Sequence, residues 1–294
     1  MKTLGTILLV LIAAAAIVGG AQARDGEITI AGGQIGKTYQ DIYAVNLGSL
    51  LKQYHVRYRA TGGSEENLDL LAAKQTDIGF AQADLYAGRL RADRKRYDGI
   101  TVLGLLSDEC VFVAHRKDGP VSSWESLQHP IDGRAPKVAV GSPHGGSNGT
   151  WKFITALQPA LEKVEVEATG GSLSLNQLAI GMLDAVLWVT DPSNPRHTML
   201  QGIQANEDLE LLPITDSGLE YTLDNGTRVY RIETIEIGVQ PHQTICTNAL
   251  VLARPDAPSR LVEGVSDLIS LRRDDLVRMD ASKRHSDEGA FPVR

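Results

Sequence analysis

The chain has 294 residues, with 29 Lys and Arg against 36 Asp and Glu and a formal charge of −7. That acidity, without a basic block or a basic aromatic stripe, excludes the electrostatics of a nucleic-acid binder and gives little attraction for anionic lipid. The two cysteines and seven scattered histidines show no metal-ligand spacing, so no metal and no cofactor is expected.

Met1-Lys2 supplies a positive start, Leu4 to Val18 is nearly all apolar, and Ala21-Gln22-Ala23 has the small-x-small form of a cleavage site. Together they read as a secretory signal peptide over residues 1–23, cleaved after Ala23, with an apolar run too short to span a membrane. The mature chain, starting at Arg24, is expected in the periplasm as a soluble monomer. Loss of Lys2 leaves it at 28 − 36 = −8. Its length suits two domains of ordinary size.

Ile28 to Ala31 reads as the first strand, and Gly32 to Tyr39 as its loop and helix start, followed by a helix with Ile42, Val45, Leu47, Leu50 and Leu51 on its apolar face. From Ala31 the spacing A-x-x-x-x-G-K-T is one glycine short of a phosphate loop, but export removes the chain from any ATP pool. Tyr54 to Ala60 is a second strand, and a third ends near Gln82 and Asp84, where open α/β sheets bind ligands. Val102–Leu106 and Cys110–Ala114 read as two short strands before a basic turn, and Thr247–Ala253 as another. These segments are expected to be paired hinge crossings near Ala114 and Ala253, with residues 24–114 and 246–294 as lobe one and 115–245 as lobe two.

In lobe two, Trp124 reads as core, and a strand at Lys137 enters the glycine loop Gly141 to Trp151. Gly145-Gly146-Ser147-Asn148-Gly149 matches the G-x-S-x-G of serine hydrolases, but several loop residues separate Val140 from Ser147, so the sharp strand-to-helix turn is missing and no catalysis is expected. Trp188 could be core or could line a cleft. Asp191-Pro192-Ser193-Asn194-Pro195 breaks the chain where a binding loop belongs. Residues 198–245 are turn-rich and stay unassigned; Leu261, Val265, Leu268 and Ile269 form one helical face, and Ser282 to Arg294 a polar tail.

One stretch occurs twice: Ala60-Thr61-Gly62-Gly63-Ser64 returns as Ala168-Thr169-Gly170-Gly171-Ser172. Each copy precedes an apolar helix and then a strand opened by Asp77 or Asp184, and each follows a strand and glycine loop at a similar distance. The plan is strand, glycine loop, helix, strand, TGGS loop, helix, strand. Facing units of this kind present helix starts to one cleft, where unpaired N–H groups attract anions and Ser64 or Ser172 suits an N-cap.

These residues resemble the TAXI group of solute receptors that serve tripartite ATP-independent periplasmic (TRAP) transporters. The resemblance runs through the loop ending Thr38-Tyr39, Thr61 to Ser64 with Asn67, Gln82 with Asp84, Gly141 to Thr150, Gly181 to Ala185, the Pro192 region, Leu212-Pro213 and Thr244 to Val251. It implies an α/β, two-lobed class II periplasmic binding protein fold with two hinge crossings, a small organic acid or glutamate-like amino acid held between lobes, and a TRAP-type permease as partner. A ligand-sensing receptor for a membrane signalling protein is the alternative. The expected ligand-binding set is Lys37, Thr38, Tyr39, Ser64, Gln82, Ser147, Asn148, Thr150 and Asp191. Lys37 and the hydroxyls and amides of Ser147 to Thr150 would hold carboxylate, while Gln82 and Asp191 read polar or ammonium groups.

Cys110 and Cys246 are left in a disulfide-permissive compartment, each at the start of a crossing segment. A bridge and a pair of buried free thiols both remain open. Antiparallel crossings with Phe112 opposite Leu250 would set Cys110 against Leu252, so a bridge needs a register shifted by several residues.

Overall fold

The computed structural model describes residues 26–278 apart from 195, 196, 225 and 239. The expected signal peptide and the polar tail lie outside the described residues. The chain opens with β1 (Glu27–Ala31), a π-helical turn (Tyr39–Ala44) running into α1 (Val45–Leu50), β2 (His55–Arg59), α2 (Ser64–Ala72), β3 (Ile78–Gln82), α3 (Ala83–Ala92) and α4 (Arg94–Tyr97). Then come β4 (Thr101–Arg116), β5 (Lys137–Ala139), α5 (Gly146–Leu157), β6 (Glu165–Glu167), α6 (Gly171–Ala179) and β7 (Ala185–Thr190). The remainder is α7 (Thr198–Gln204), β8 (Leu209–Leu211), β9 (Tyr221–Thr222), β10 (Arg228–Ile237), β11 (Gln240–Ala253) and α8 (Ser259–Val277).

The sequence repeat is a structural repeat. β1 lies between parallel β2 and β3, and β5 lies between parallel β6 and β7. The aspartates that open the two third strands act alike. Asp77 accepts the Thr29 N–H at 2.8 Å and pairs with Arg254 at 2.9 Å, while Asp184 accepts the Lys137 N–H at 2.8 Å and pairs with Arg134 at 2.6 Å. Each carboxylate thus fastens its third strand to the start of the first. The expected serine N-caps are corrected. Gly63, at φ 124°, is the residue before α2, and Gly170 the one before α6, with no side-chain cap at either. A positive φ at Gly63 favours glycine and leaves Ser64 as the first residue of α2, while Gly170 is extended and Ser172 is the second residue of α6.

Two long strands join the halves. The expected pair of short strands is one continuous β4 of 16 residues, and β11 has 14. Leu250 to Ala253 of β11 pair with both β3 and the Thr101–Leu105 end of β4. Farther along, Cys110 to His115 of β4 pair with β7, and Gln240 to Cys246 of β11 pair with β10. The sheet order is β2-β1-β3-β11-β4-β7-β5-β6. Cys110 to Ala114, expected in lobe one, therefore lie in the second half's ladder. The strands change partners over Ser107–Cys110 and Cys246–Asn248.

Apolar faces explain the packing. Leu261, Val265 and Ile269 of α8 lie against Ile30, Phe80 and Val251 in the first core. Fully burying each such side chain is worth about 1.5–3 kcal/mol. Val111, Val113, Trp124, Trp151, Phe153 and Tyr230 build the second core, while Trp188 joins Phe112, Cys110 and Cys246 on the opposite face of the sheet. Trp124 and Trp188 are both core residues.

The crossing register brings Cys110 directly opposite Cys246, with Cα atoms 4.0 Å apart, and the two form a disulfide. This corrects the expectation of Phe112 opposite Leu250. Phe112 lies beside Trp188 of β7, and Leu250 instead meets Leu105, seven residues from Phe112 (112 − 105 = 7), while the shifts between Asn248 and Leu250 and between Val251 and Leu252 move the ladder by only one residue each.

Candidate functional site

The site forms where the halves meet, on one face of the crossing strands. Glu109 of β4 is directly opposite Thr247 of β11, so their side chains rise from the same face. On the other flank Cys110 pairs with Thr190, the last residue of β7, and Asp191 just beyond it lies near enough to Glu109 to act on its carboxyl. Tyr39 stacks on Tyr43 at 5.5 Å between ring centres and donates its hydroxyl to Glu109 Oε2 at 3.0 Å, while Tyr43 shares a 2.6 Å hydrogen bond with Ser107. The π-helical turn widens the helix enough to set both tyrosines over the crossing strands.

A second polar group stands beside it. Asp84, fully buried at the start of α3, accepts from Thr150 Oγ1 at 2.6 Å and Tyr230 Oη at 2.7 Å, both from the second half. Gln82 Nε2 donates to the same Thr150 oxygen at 3.4 Å. A β-carbon at Gly146 would collide with Gln82 Oε1, and one at Gly149 would come within 2.8 Å of Leu85, so the glycines let α5 lie close against the end of β3 and α3.

The electrostatics are acidic. Burial pushes the Glu109 carboxyl up to about 8; its hydrogen bond from Tyr39 opposes this, and the charges of Asp84 and Asp191 add to it. Burial raises Asp84 too, against the hydrogen bonds from Thr150, Tyr230 and the Leu85 amide. Burial likewise raises Tyr39, with Glu109 contributing. Among the described residues no basic side chain forms an ion pair with Asp84, Glu109 or Asp191. Thr247 Oγ1, on a residue with no exposure, has no hydrogen-bond partner, and neither does Asn148 Oδ1.

Eight of the nine expected residues divide into three groups, and the ninth, Asn148, is buried at the start of α5 with its Oδ1 unpartnered. Tyr39, Gln82, Thr150 and Asp191 come together at the junction. Lys37 and Thr38 are exposed on the loop before the π-helical turn, where Lys37 stands near enough to His197 to add to the lowering that burial imposes on that imidazole. Ser64 and Ser147 serve the scaffold: Ser64 Oγ accepts from the Gln82 amide at 3.2 Å and Ser147 Oγ from the Val189 amide at 3.1 Å. The Thr150 hydroxyl is given to Asp84, whereas the Ser147 hydroxyl, accepting from the Val189 amide, keeps its own proton to donate. Sequence reasoning missed Glu109, Thr247 and Tyr43; the polar run Ser107-Asp108-Glu109 inside an apolar strand was the available signal.

Two α/β halves joined by two crossing strands, with polar groups of both halves gathered at the junction, define a two-lobed binding protein of the periplasmic type. The chain belongs to the NMT1-like family, whose model matches residues 30–282. Among solved structures it is similar to XAC2383 from Xanthomonas citri, determined with chloride ion and with ATP, at 10% identity over 88% of this chain and 93% of that one, with a TM-score of 0.52. It also matches an ancestral arginine-binding protein bound to arginine (13% identity, 86% and 95% covered, TM-score 0.49) and a putative L-cystine ABC transporter from Listeria monocytogenes (14%, 83% and 89%, 0.48). At such identities the likeness is one of fold. No curated protein matches the chain in sequence.

Proposed function

We propose that this chain is a periplasmic solute receptor that holds a small amino acid or organic acid between its lobes and delivers it to a TRAP-type membrane permease. The observation that carries the reading is the junction itself, where Tyr39, Gln82 and Glu109 of one half meet Thr150 and Asp191 of the other around the two crossing strands. A ligand touching both sides favours the closed state by its differential affinity. The permease rests on the resemblance to TAXI receptors and the export step on the signal-peptide pattern of residues 1–23, and no helix among the described residues is long and apolar enough to cross a membrane. A thermal-shift screen of amino acids, dicarboxylates and oxoacids tests it. A ligand at about a hundred times its Kd adds roughly 2.7 kcal/mol of stability, a shift of several degrees. No shift from any solute at millimolar concentration would remove the receptor reading.

A further inference from the structure

The junction carries more acid than a receptor for an organic anion needs. Glu109 lies directly opposite Thr247, and Asp84 and Asp191, the latter just past the Cys110–Thr190 pair, are near enough to raise it. Thr247 is fully buried with an unpartnered hydroxyl. Opposing charge is scarce on every element packed there. The π-helical turn offers Tyr39 and Tyr43, the same strand Ser107, and α3 Asp84. Arg273 of α8 affects Tyr43 but gives its guanidinium to the Leu106 carbonyl, and Arg231 is held by Asp108 at 2.6 Å. Asp108 and Glu109 are adjacent in a strand, so that ion pair lies on the opposite face.

We propose that the floor of the cleft is an ammonium subsite, in which Glu109 and Asp191 take the cationic group of the solute and Thr247 Oγ1 accepts a hydrogen bond from one of its N–H groups, so that Glu109 decides which solutes the receptor accepts. This rests on the receptor reading above and narrows it to amine-bearing solutes. An ammonium suits the place better than a metal ion, because no group of three or more acidic, His or Cys side chains among the described residues is arranged to ligate one. Ionising neighbouring carboxylates out of water is unfavourable until a cation arrives to offset it. Binding at neutral pH is therefore accompanied by release of the Glu109 proton, whereas a dicarboxylate meets like charge at Asp191 and gains no compensating attraction from an uncharged Glu109.

Calorimetry on the exported, full-length mature protein tests this with L-lysine, L-arginine and 1,5-diaminopentane against L-glutamate and succinate. The expected results are tighter binding of the cations than of succinate, proton release seen as a dependence on buffer ionisation enthalpy, and affinity rising with pH from about 6 to about 8, by at most tenfold per unit. Glu109→Gln, which keeps the shape and a hydrogen bond for Tyr39, should lose tenfold or more in affinity for the cations and lose the pH slope. Asp191→Asn should lose affinity but retain the slope, a split that loss of folding would not produce. Succinate binding tighter than every cation, or an unaltered Glu109→Gln, overturns the subsite and leaves the receptor intact. Failure of all five compounds overturns the subsite, while the wider solute screen judges the receptor separately.

Discussion

Glu109 gives the protein a pH dependence that can be measured without any ligand. Its folded value of about 8 exceeds the ordinary 4.5 because burial disfavours the charged form, so between those values the folded chain holds a proton that the unfolded chain has released. The stability this contributes is present in full below about 4.5 and is lost as pH rises through about 8. His242, stacked on Phe112, behaves in the opposite sense: burial lowers it from 6.5 to about 4, and its contribution is lost as pH falls through that range. Above 6.5 the histidine is neutral in both states, so its opposing effect drops out there. The melting temperature of the unliganded protein should therefore fall between pH 6.5 and 8, and Glu109→Gln should flatten that fall. An equal slope in the variant would assign the effect elsewhere. Gln82 and Asp191 were legible in the sequence because strand ends in α/β sheets point to ligands; Glu109 was not, because a carboxylate between apolar runs reads as a turn.

The crossing strands show why elements were easier to find than their lengths. Val102 to Leu106 and Cys110 to Ala114 are apolar enough to be strands, and Ser107-Asp108-Glu109 looks like their connection. In the fold the polar triplet stays extended because both of its faces find polar partners. Asp108 meets Arg231 and Asn248 on one side, and Ser107 and Glu109 meet the tyrosines on the other. β10 escaped notice for a related reason, since Arg231, Glu233 and Glu236 interrupt its apolar pattern, yet Arg231 and Glu233 pair with each other. The doubled TGGS plan was legible in full because two aspartates and two glycine loops recur at fixed places. The disulfide register was not, because Val102 to Leu106 and Leu250 to Ala253 are apolar without alternation and nothing in the sequence fixes their pairing. Cys110 and Cys246 close a separation of 136 residues, for which the chain-entropy model gives on the order of 4–5 kcal/mol. Titration of the denatured, unreduced protein should find no free thiol. Two thiols per chain would contradict the bridge, and a reduced protein equally stable to urea would contradict its energetic role.

At the scale of the whole molecule, the seam between α3 and α5 decides whether the lobes can part. Asp84, Thr150 and Tyr230 hydrogen-bond across it in full burial, and Arg94 reaches Asp224 at 2.7 Å at its outer edge. The outer pair is exposed and contributes little. The inner group matters more, because removing one donor leaves a buried carboxyl short of a partner, at about 1–3 kcal/mol. Any rotation about Ser107–Cys110 and Cys246–Asn248 that opens the cleft must break this inner group, since the disulfide holds the two crossing strands together and leaves twisting of the pair as the available motion. We therefore expect Thr150→Val, which keeps the volume and deletes the donor to Asp84, to shift the unliganded protein toward open forms. Small-angle scattering should give a larger radius of gyration for the variant than for the native chain, and a saturating ligand should reduce it again, because the ligand replaces the lost cross-lobe contact. The native chain should change less on binding, as its seam already favours closure. Identical profiles for native and variant, with and without ligand, would mean that the lobes do not move and that solute enters by local rearrangement of the Gly33 to Tyr39 loop instead.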